Sequence, residues 1–350
     1  MKLMNVENTI YGRLLEIQRM STEDGPGIRT TVFLKGCFMS CQWCHNPESI
    51  SFKPGLQWLK LNCIECQSCV HVCPNKALSL IENEIIIDRN SCKADGVCTE
   101  ECPSGALELI GKDVSVEEVV KEVLKDKSFF EKSGGGVTLS GGEPTMQHNF
   151  AIAFFKKLKE NGIHTALDTC GLGTHEAYEK ILPYTDLILY DIKEIDSEKH
   201  RRFTGSSNEK VLENLKLISE WMNINHMPAE LWIRTPIIPD ATDTEENIMG
   251  IGKFILESKL HPVRWELCAF NNLCNDKYLR LGTTWPFEKK DLISAENMEH
   301  FLEIARDSCA ERQIVLCTGN VKSKEKVRIR NTAEPDPIDF CRITGLPEKN

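Results

Sequence analysis

The sequence predicts an α/β protein built as a partial (β/α)6 TIM-type barrel, with a small α+β domain inserted near its start. Strand and helix patterns alternate along most of the chain, which is typical of a parallel sheet with right-handed crossovers. About six such units are too few for a closed barrel of eight strands. A compact cysteine repeat interrupts the alternation after the first strand, and this repeat predicts the insert.

The predicted elements divide the chain into four parts. Residues 1–50 begin the barrel, 51–112 form the insert, 113–318 complete the barrel and 319–350 form a polar tail. The predicted strands lie at 31–34, 137–139, 164–167, 187–190, 231–233, 265–269 and 314–316. The predicted helices lie at 116–130, 148–160, 174–182, 208–222, 244–258 and 295–311. The capping box Ser115-x-x-Glu118 opens the first of these helices.

Composition restricts the class of protein. The chain of 350 residues has a net charge of −10 and no Lys/Arg block, which argues against a nucleic-acid backbone as the main partner. A tRNA or nucleoside substrate stays open. No apolar run approaches the roughly 18 residues of a membrane span, and the N-terminus lacks a signal-peptide pattern. We expect a soluble, cytoplasmic, monomeric protein with no membrane partner.

Cysteine is the most informative residue type. Ten of the 16 cysteines lie between Cys37 and Cys102, and in a cytosolic chain such groups indicate metal or redox chemistry. Seven of them form a repeat offset by 29 residues, in which the runs at 63–73 and 92–102 both end in Cys-Pro before a short apolar segment. Each half has too little apolar surface to fold alone, so a metal cluster would supply the missing stability.

Chemically distinctive residues follow each predicted strand. In chain order they are Cys37, the run Gly141-Gly142-Glu143, Asp168, the pair Asp191 and Lys193, Arg234, and Asn271. The carboxyl ends of parallel strands form the active-site face of α/β sheets and barrels. These segments are therefore expected to meet at one mouth.

The spacing Cys37-x3-Cys41-x2-Cys44 places three thiolates on one loop. They can hold three irons of a [4Fe–4S] cube and leave the fourth iron free for a substrate. A zinc site with His45 as fourth ligand is the alternative, because structural zinc normally takes four protein ligands. The position at a strand end, beside a separate cysteine repeat, favours the cluster.

This spacing is the signature of the radical S-adenosylmethionine superfamily, which the chain resembles. The likeness is closer to the activating enzymes of glycyl radical enzymes, and it spans about residues 11–316. The segments that carry it are DGPGIRT at 24–30, KGC through CHNPE at 35–48, GVTLSGGEP at 136–144, DTCG at 168–171 and DIK at 191–193.

The resemblance implies an oxidoreductase that reductively cleaves S-adenosylmethionine. The resulting 5′-deoxyadenosyl radical would remove an α-hydrogen from a glycine of a partner glycyl radical enzyme, while the protein supplies position and electrostatics. The residues implied for the cofactor are Trp43, Gly141, Gly142, Glu143, Asp168, Asp191, Ile192, Lys193, Arg234 and Asn271. The segment 24–29 and the insert are candidates for docking the partner.

Five positions carry a further implication or alternative. Asp168, Thr169 and Asp191 match positions that can hold a monovalent cation, whereas capping of the next helix is the alternative for Asp168 and Thr169. Arg234 could instead form a structural salt bridge. Simpler family members have histidine at Asn271, and because asparagine cannot titrate we expect no proton transfer there.

The insert resembles a two-cluster ferredoxin. Its first half has the full Cys-x2-Cys-x2-Cys-x3-Cys-Pro pattern, whose last cysteine ligates the other cluster. One [4Fe–4S] cluster is therefore assigned to Cys63, Cys66, Cys69 and Cys102. The second is assigned to Cys73, Cys92, Cys98 and Asp95, which stands where a cysteine is missing. A donor such as flavodoxin or ferredoxin would reduce them, and a purely structural role is the alternative.

Asp95 leaves three outcomes open for the second cluster, because a carboxylate is a harder ligand than a thiolate. Asp95 can ligate an intact cluster, which we favour, a three-iron cluster can form, or one iron can be labile. The remaining cysteines, Cys170 among them, follow no ligand spacing and are predicted to be small buried hydrophobic residues. A radical enzyme acting on a nucleoside or peptide, and an electron-transfer protein, are the alternative functions.

Overall fold

A computed structural model describes residues 9–309 and 311–319, so the predicted tail lies outside the described residues except for its first position. The described strands are β1 Tyr11–Ser21, β2 Arg29–Leu34, β3 Gly55–Trp58, β4 Leu78–Ile81, β5 Glu84–Ile87, β6 Leu107–Ile110, β7 Lys112–Ser115, β8 Gly136–Gly141, β9 His164–Thr169, β10 Leu187–Asp191, β11 Glu230–Ile237, β12 Arg264–Ala269 and β13 Val315–Thr318.

The described helices alternate with the later strands. They are α1 Ser68–Val72, α2 Val97–Glu100, α3 Val116–Val123, α4 Lys127–Ser133, α5 His148–Glu160, α6 His175–Ile181, α7 Ser197–Thr204, α8 Glu209–Asn225, α9 Glu245–Glu257, α10 Asn275–Arg280 and α11 Ala295–Ser308. None of the described helices is both long enough and apolar enough to cross a bilayer.

One large sheet organises the fold, in the order β13-β12-β11-β10-β9-β8-β2-β1-β7. Across the sheet, every neighbouring pair from β2 through β8, β9, β10, β11 and β12 to β13 is parallel. Strand β1 pairs antiparallel with both β2 and β7. The predicted α/β fold with a parallel sheet is confirmed. Among the described strands the sheet ends at β13 and β7 and remains open, as a barrel with too few units requires.

Apolar faces of the helices form the core against this sheet. Helix α5 has the bounds that the sequence predicts and buries Phe150, Phe154, Phe155 and Leu158. The register places the strand ends side by side, with Leu34 opposite Gly141 and Asp191 opposite Arg234. The residues that follow these strands therefore share one edge.

The predicted single helix at 116–130 is wrong. The capping box at Ser115 is present, but α3 ends at Val123 and a short 3-10 turn separates it from α4. This turn carries Asp126, which is fully buried and forms an ion pair with Arg19 and a 2.7 Å hydrogen bond with the Thr30 hydroxyl. Tertiary contacts thus accompany a break that helical periodicity does not reveal.

Strand β1 and helices α7 and α10 have no counterpart in the sequence prediction. Much of β1 is exposed or half-buried, so its apolar pattern is weak, and α7 and α10 are short. These elements still matter, because α7 and α10 hold the predicted cluster loop.

Residues 55–110 form two small antiparallel sheets, β3 with β6 and β4 with β5. Their buried core is separate from the main one and includes Leu56, Leu78, Ile85 and Leu107 together with cysteine side chains. Strands β4 and β6 lie in the two short apolar segments that follow the Cys-Pro pairs of the repeat, and they pair with β5 and β3 respectively.

Candidate active site

A cavity of about 280 Å³ lies at the carboxyl ends of the parallel strands. A single water needs only about 10–15 Å³ by this measure, so the cavity suits a multi-atom group. The predicted residues that line it are Cys37, Cys41, Trp43, Cys44, Gly141, Gly142, Asp168, Thr169, Asp191, Lys193 and Arg234. Folding therefore brings together segments from five strand ends.

The loop that carries the three cysteines is held by backbone hydrogen bonds. Ser40 and Gln42 donate from their backbone N–H groups to Thr204 and Phe203, over 2.8 and 3.0 Å, at the end of α7. On the other side, the Tyr278 hydroxyl of α10 donates to the Cys44 carbonyl over 2.9 Å. Helices α7 and α10 thus both hold the loop.

Trp43 packs the cysteine loop against neighbouring aromatic side chains. Its side chain is buried, and its ring lies 6.0 Å from Phe203 and 6.3 Å edge-on from Phe287. Aromatic pairs at such separations add specific packing to area burial. Trp43 therefore both lines the cavity and anchors the loop.

The three thiols differ in acidity. Burial raises the pKa of Cys41 to about 11 and raises that of Cys44 further. A hydrogen bond with the Cys170 thiol lowers the pKa of Cys37. The nearby Lys193 ammonium favours the thiolate form of all three. Three partly buried thiols beside a cation fit a group that binds thiolates and carries positive charge.

The zinc alternative needs His45 as its fourth ligand. His45 lines the cavity, but its ring hydrogen-bonds the Asn271 backbone.

Charged residues form the opposite wall of the cavity. Lys193 pairs with Asp191. Burial disfavours the Lys193 ammonium, but the charges of Asp191 and Cys41 outweigh it and raise the pKa of Lys193. A guanidinium N–H of Arg234 lies 3.7 Å from Asp168, and its Nε lies 3.2 Å from the buried Glu266. Arg234 therefore has a structural ion pair and also faces the cavity.

Asp168 is a carboxylate of the cavity wall with a raised pKa. Burial raises its pKa to about 6, against the opposing charge of Arg234, and the charge of Asp191 adds to the rise. The Ser140 hydroxyl donates to it over 2.6 Å. The helix-capping alternative for Asp168 and Thr169 is wrong, because Thr174 caps α6 through the Ala177 N–H.

Three residues implied for the cofactor do not line the cavity. The Glu143 carboxylate lies behind the wall, fully buried among hydrogen-bond donors. Ile192 is buried, and its N–H donates to the Arg234 carbonyl over 3.0 Å. The Asn271 side chain accepts from the Leu273 N–H over 3.2 Å. A cofactor role for these three residues remains a prediction.

Sequence reasoning missed Cys170 as a site residue. Its side chain is buried, as predicted, but it lines the cavity and hydrogen-bonds Cys37. Its position directly after β9, two residues beyond Asp168, is a signal that could have found it. Residue Arg29, within the segment proposed for partner docking, is fully buried and bonds Thr138 and the Val137 carbonyl, so that expectation is wrong for this side chain.

Two smaller cavities lie in residues 55–110, and each collects one predicted ligand set. The first is lined by Cys63, Cys66, Cys69 and Cys102, and the second by Cys73, Cys92, Asp95 and Cys98. In each cavity the last cysteine of one run lies with the first three predicted ligands of the other run. This is the arrangement that the resemblance to a two-cluster ferredoxin predicts.

The chain is similar in sequence to known proteins over most of its length. A family model described as "Radical SAM superfamily" matches residues 31–250. The trans-4-hydroxy-L-proline dehydratase activating enzyme of Clostridioides difficile is 38% identical, with 82% of this chain and 93% of that protein covered. The isethionate sulfite-lyase activating enzyme of Oleidesulfovibrio alaskensis is 41% identical, with 79% and 88% covered.

A solved structure is similar in fold. The radical SAM methyltransferase from Sphaerobacter thermophilus matches with a TM-score of 0.50 and 12% identity, over 91% of this chain and 79% of that one. The chain belongs to the radical SAM superfamily and, within it, to the activating enzymes of glycyl radical enzymes. Membership implies a [4Fe–4S] cluster and S-adenosylmethionine, and the three thiols of the cavity fit that cluster.

Proposed function

We propose that this chain activates a glycyl radical enzyme by removing an α-hydrogen from one of its glycines. The observation that carries the proposal is the convergence of Cys37, Cys41 and Cys44 with Asp191–Lys193 and Arg234 in one cavity. Relatives covering most of the chain are named as activating enzymes. The chemistry that the bound cluster and S-adenosylmethionine supply is reductive cleavage to methionine and a 5′-deoxyadenosyl radical.

The charged wall would bind the amino-acid part of S-adenosylmethionine. Arg234 and Lys193 offer positive charge to its carboxylate, and charge-assisted hydrogen bonds of this kind are the stronger ones. Gly141 and Gly142 would allow close backbone approach, and Trp43 would cover the adenosine side of the loop. Glu143 would contribute to binding indirectly, by holding Thr169 and Cys170 in place.

A monovalent cation beside Asp168, Thr169 and Asp191 would complete this wall. The two carboxylates line the same cavity, and the charge of Asp191 contributes to the raised pKa of Asp168. A bound cation would relieve that repulsion and keep both ionised.

The insert at residues 51–112 would act as a ferredoxin-like domain with up to two auxiliary [4Fe–4S] clusters. The two four-residue sets that line its cavities support this assignment. A flavodoxin or ferredoxin would supply electrons, which the insert would relay to the cluster at Cys37. The enzyme would work as an anaerobic, cytoplasmic monomer, with a glycyl radical enzyme as its protein substrate.

Two measurements test the function. The reconstituted, dithionite-reduced protein is incubated with S-adenosylmethionine, and 5′-deoxyadenosine is quantified by chromatography. Cys44→Ala should abolish the product, whereas Cys309→Ala, at the end of α11, should retain it. If the wild type forms none, the radical assignment fails. Electron paramagnetic resonance after anaerobic mixing with a glycyl radical enzyme should show a glycyl doublet. Product without a doublet for every partner tried would favour a nucleoside or peptide substrate.

A further inference from the structure

The two halves of the insert repeat several backbone features at an offset of 29 residues. Left-handed conformations occur at Glu65, Gln67 and Lys76 and recur 29 positions later, at residues 94, 96 and 105. In each half the last cysteine also accepts a backbone N–H four residues on, over 3.3 Å at Cys73 and 3.2 Å at Cys102. Asp95 therefore occupies the place that Cys66 has in the first half.

A second difference between the halves accompanies this one. The residue that follows the last cysteine by two positions is Asn75 in the first run and Ser104 in the second. Because the last cysteines are exchanged, Ser104 shares a cavity with Cys66, and Asn75 shares a cavity with Asp95. The second cavity thus has the Asp95 carboxylate where the first has the Cys66 thiol. It also has the Asn75 amide where the first has the Ser104 hydroxyl.

The amide contacts the carboxylate directly. Asn75 Nδ2 donates to Asp95 Oδ2 over 2.9 Å, and the Val97 N–H donates to Asp95 Oδ1 over 3.2 Å. Each oxygen keeps a lone pair, since a carboxylate offers about four acceptor positions. The two donors hold the carboxylate at the edge of the cavity that Cys73, Cys92 and Cys98 also line.

We propose that Asp95 is the fourth ligand of the second auxiliary cluster and that Asn75 positions its carboxylate, so that the iron at this corner is exchangeable. The inference rests on the proposed auxiliary clusters. A carboxylate oxygen is a harder ligand than a thiolate and holds iron of a sulfide cluster less firmly. Oxidation by one electron, taken up by an added oxidant, would release one ferrous ion and leave a three-iron cluster: the charge of the [4Fe–4S]²⁺ core rises to 3+, divided between Fe²⁺ and [3Fe–4S]⁺.

Asn75 is a positioning residue in this proposal. Partners that orient a metal ligand typically contribute 10- to 100-fold to metal affinity. Asn75→Ala should therefore release the iron to a chelator at roughly 10- to 100-fold lower chelator concentration. Ser104→Ala alters the matching position beside a set of four thiolates and should retain its iron as the wild type does.

The experiment uses the full chain, reconstituted anaerobically, as wild type, Asp95→Asn, Asp95→Cys, Asn75→Ala and Ser104→Ala. Iron content and the electron paramagnetic resonance spectrum are recorded before and after stoichiometric ferricyanide. Wild type should lose about two irons per chain and gain three-iron signals, one iron from the cluster at Cys37, whose fourth iron has no protein ligand, and one from the corner held by Asp95. Asp95→Asn should lack the iron of that corner from the start, although its amide oxygen can still accept from Val97. Asp95→Cys should retain the iron at this corner after oxidation and lose only about one, from the cluster at Cys37.

The outcomes separate this inference from the function on which it rests. Wild-type protein with only about four irons per chain, instead of about twelve, would overturn the auxiliary clusters and the inference together. A full iron content that is the same in Asp95→Asn and wild type, with the same oxidised spectrum, would overturn the role of Asp95 alone. If Asn75→Ala and Ser104→Ala release iron at the same chelator concentration, the positioning role of Asn75 is overturned.

Discussion

The backbone N–H of Cys170 donates a 2.8 Å hydrogen bond to the buried carboxylate of Glu143. The same carboxylate accepts from the Thr169 hydroxyl over 2.9 Å and from the backbone and hydroxyl of Thr145. Glu143 thereby ties the turn after β9 to the turn after β8. The acid of the Gly-Gly-Glu motif shapes the cavity wall, because it holds Thr169 and Cys170, which line the cavity directly after Asp168.

We predict that Glu143→Gln lowers the free energy of unfolding by about 1–3 kcal/mol, the usual cost of leaving a buried polar group unsatisfied. The amide would present a donor where the carboxylate accepts. Urea unfolding of the protein without its cofactors measures this. Glu213→Gln, at a side chain that is 66% exposed, should change stability by less than about 0.5 kcal/mol. Equal stability of the two variants, with weaker S-adenosylmethionine binding only in Glu143→Gln, would assign Glu143 to the ligand instead.

Asp168 should make stability depend on pH. Its pKa in the folded protein, about 6, exceeds the ordinary value of 3.8, so the folded state binds the proton more tightly. The stabilisation is complete below about pH 4 and is lost as pH rises through 6, a change of roughly 2–3 kcal/mol at 1.36 kcal/mol per unit. The difference in unfolding free energy between wild type and Asp168→Asn should fall by that amount from pH 4 to 7.

The same measurement tests the proposed cation. At pH 7, potassium or sodium should restore stability to the wild type and not to Asp168→Asn, because a cation favours the ionised carboxylate. A difference that stays constant across this pH range, with no response to either cation, would refute both expectations.

Removing the Cys170 thiol should make Cys37 less reactive. The hydrogen bond from Cys170 is the main cause of the lowered pKa of Cys37, and only the thiolate reacts with alkylating agents. In protein without its cluster, Cys170→Ala should slow iodoacetamide labelling of Cys37, about tenfold for each unit by which its pKa rises. Mass spectrometry of the labelled peptide reads the rate.

Cys268→Ala is the matched control for that experiment. Cys268 also lines the cavity, but its thiol points to the Glu266 carbonyl, with 3.9 Å between sulfur and oxygen. Labelling of Cys37 should therefore keep its wild-type rate in this variant. Slowing of the same size in both variants would show a general change in the cavity, and the specific role of Cys170 would be rejected.

Gly142 should tolerate no side chain. A Cβ there would lie 2.0 Å from the Gly36 carbonyl oxygen, so the ends of β2 and β8 would have to separate. We expect Gly142→Ala to cost about 3 kcal/mol or more in thermal or urea unfolding. Gly134→Ala, where a Cβ meets nothing within 4 Å but φ is +69°, should cost only about 1–2 kcal/mol of backbone strain. A smaller loss at Gly142 than at Gly134 would contradict the clash.

Much of the fold was predictable, because helix α5 and the parallel strands have local patterns of apolar residues. Strand β1 and helices α7 and α10 were not, since β1 is largely exposed or half-buried and the two helices are short. The break at Asp126 was also hidden, because its partners Arg19 and Thr30 are about 100 residues away in the chain.

Spacing within one loop was enough to predict that Cys37, Cys41 and Cys44 share a cavity, and the constant offset of the repeat predicted which side chains line each small cavity of the insert. Tertiary structure alone decided the direction in which each side chain points. The Glu143 carboxylate lies behind the cavity wall, and Cys170 contacts Cys37. Asn271 lies outside the cavity lining, and Asn75 contacts Asp95. The reason is physical: local pattern depends on neighbours in the chain, whereas side-chain direction depends on contacts that only packing creates.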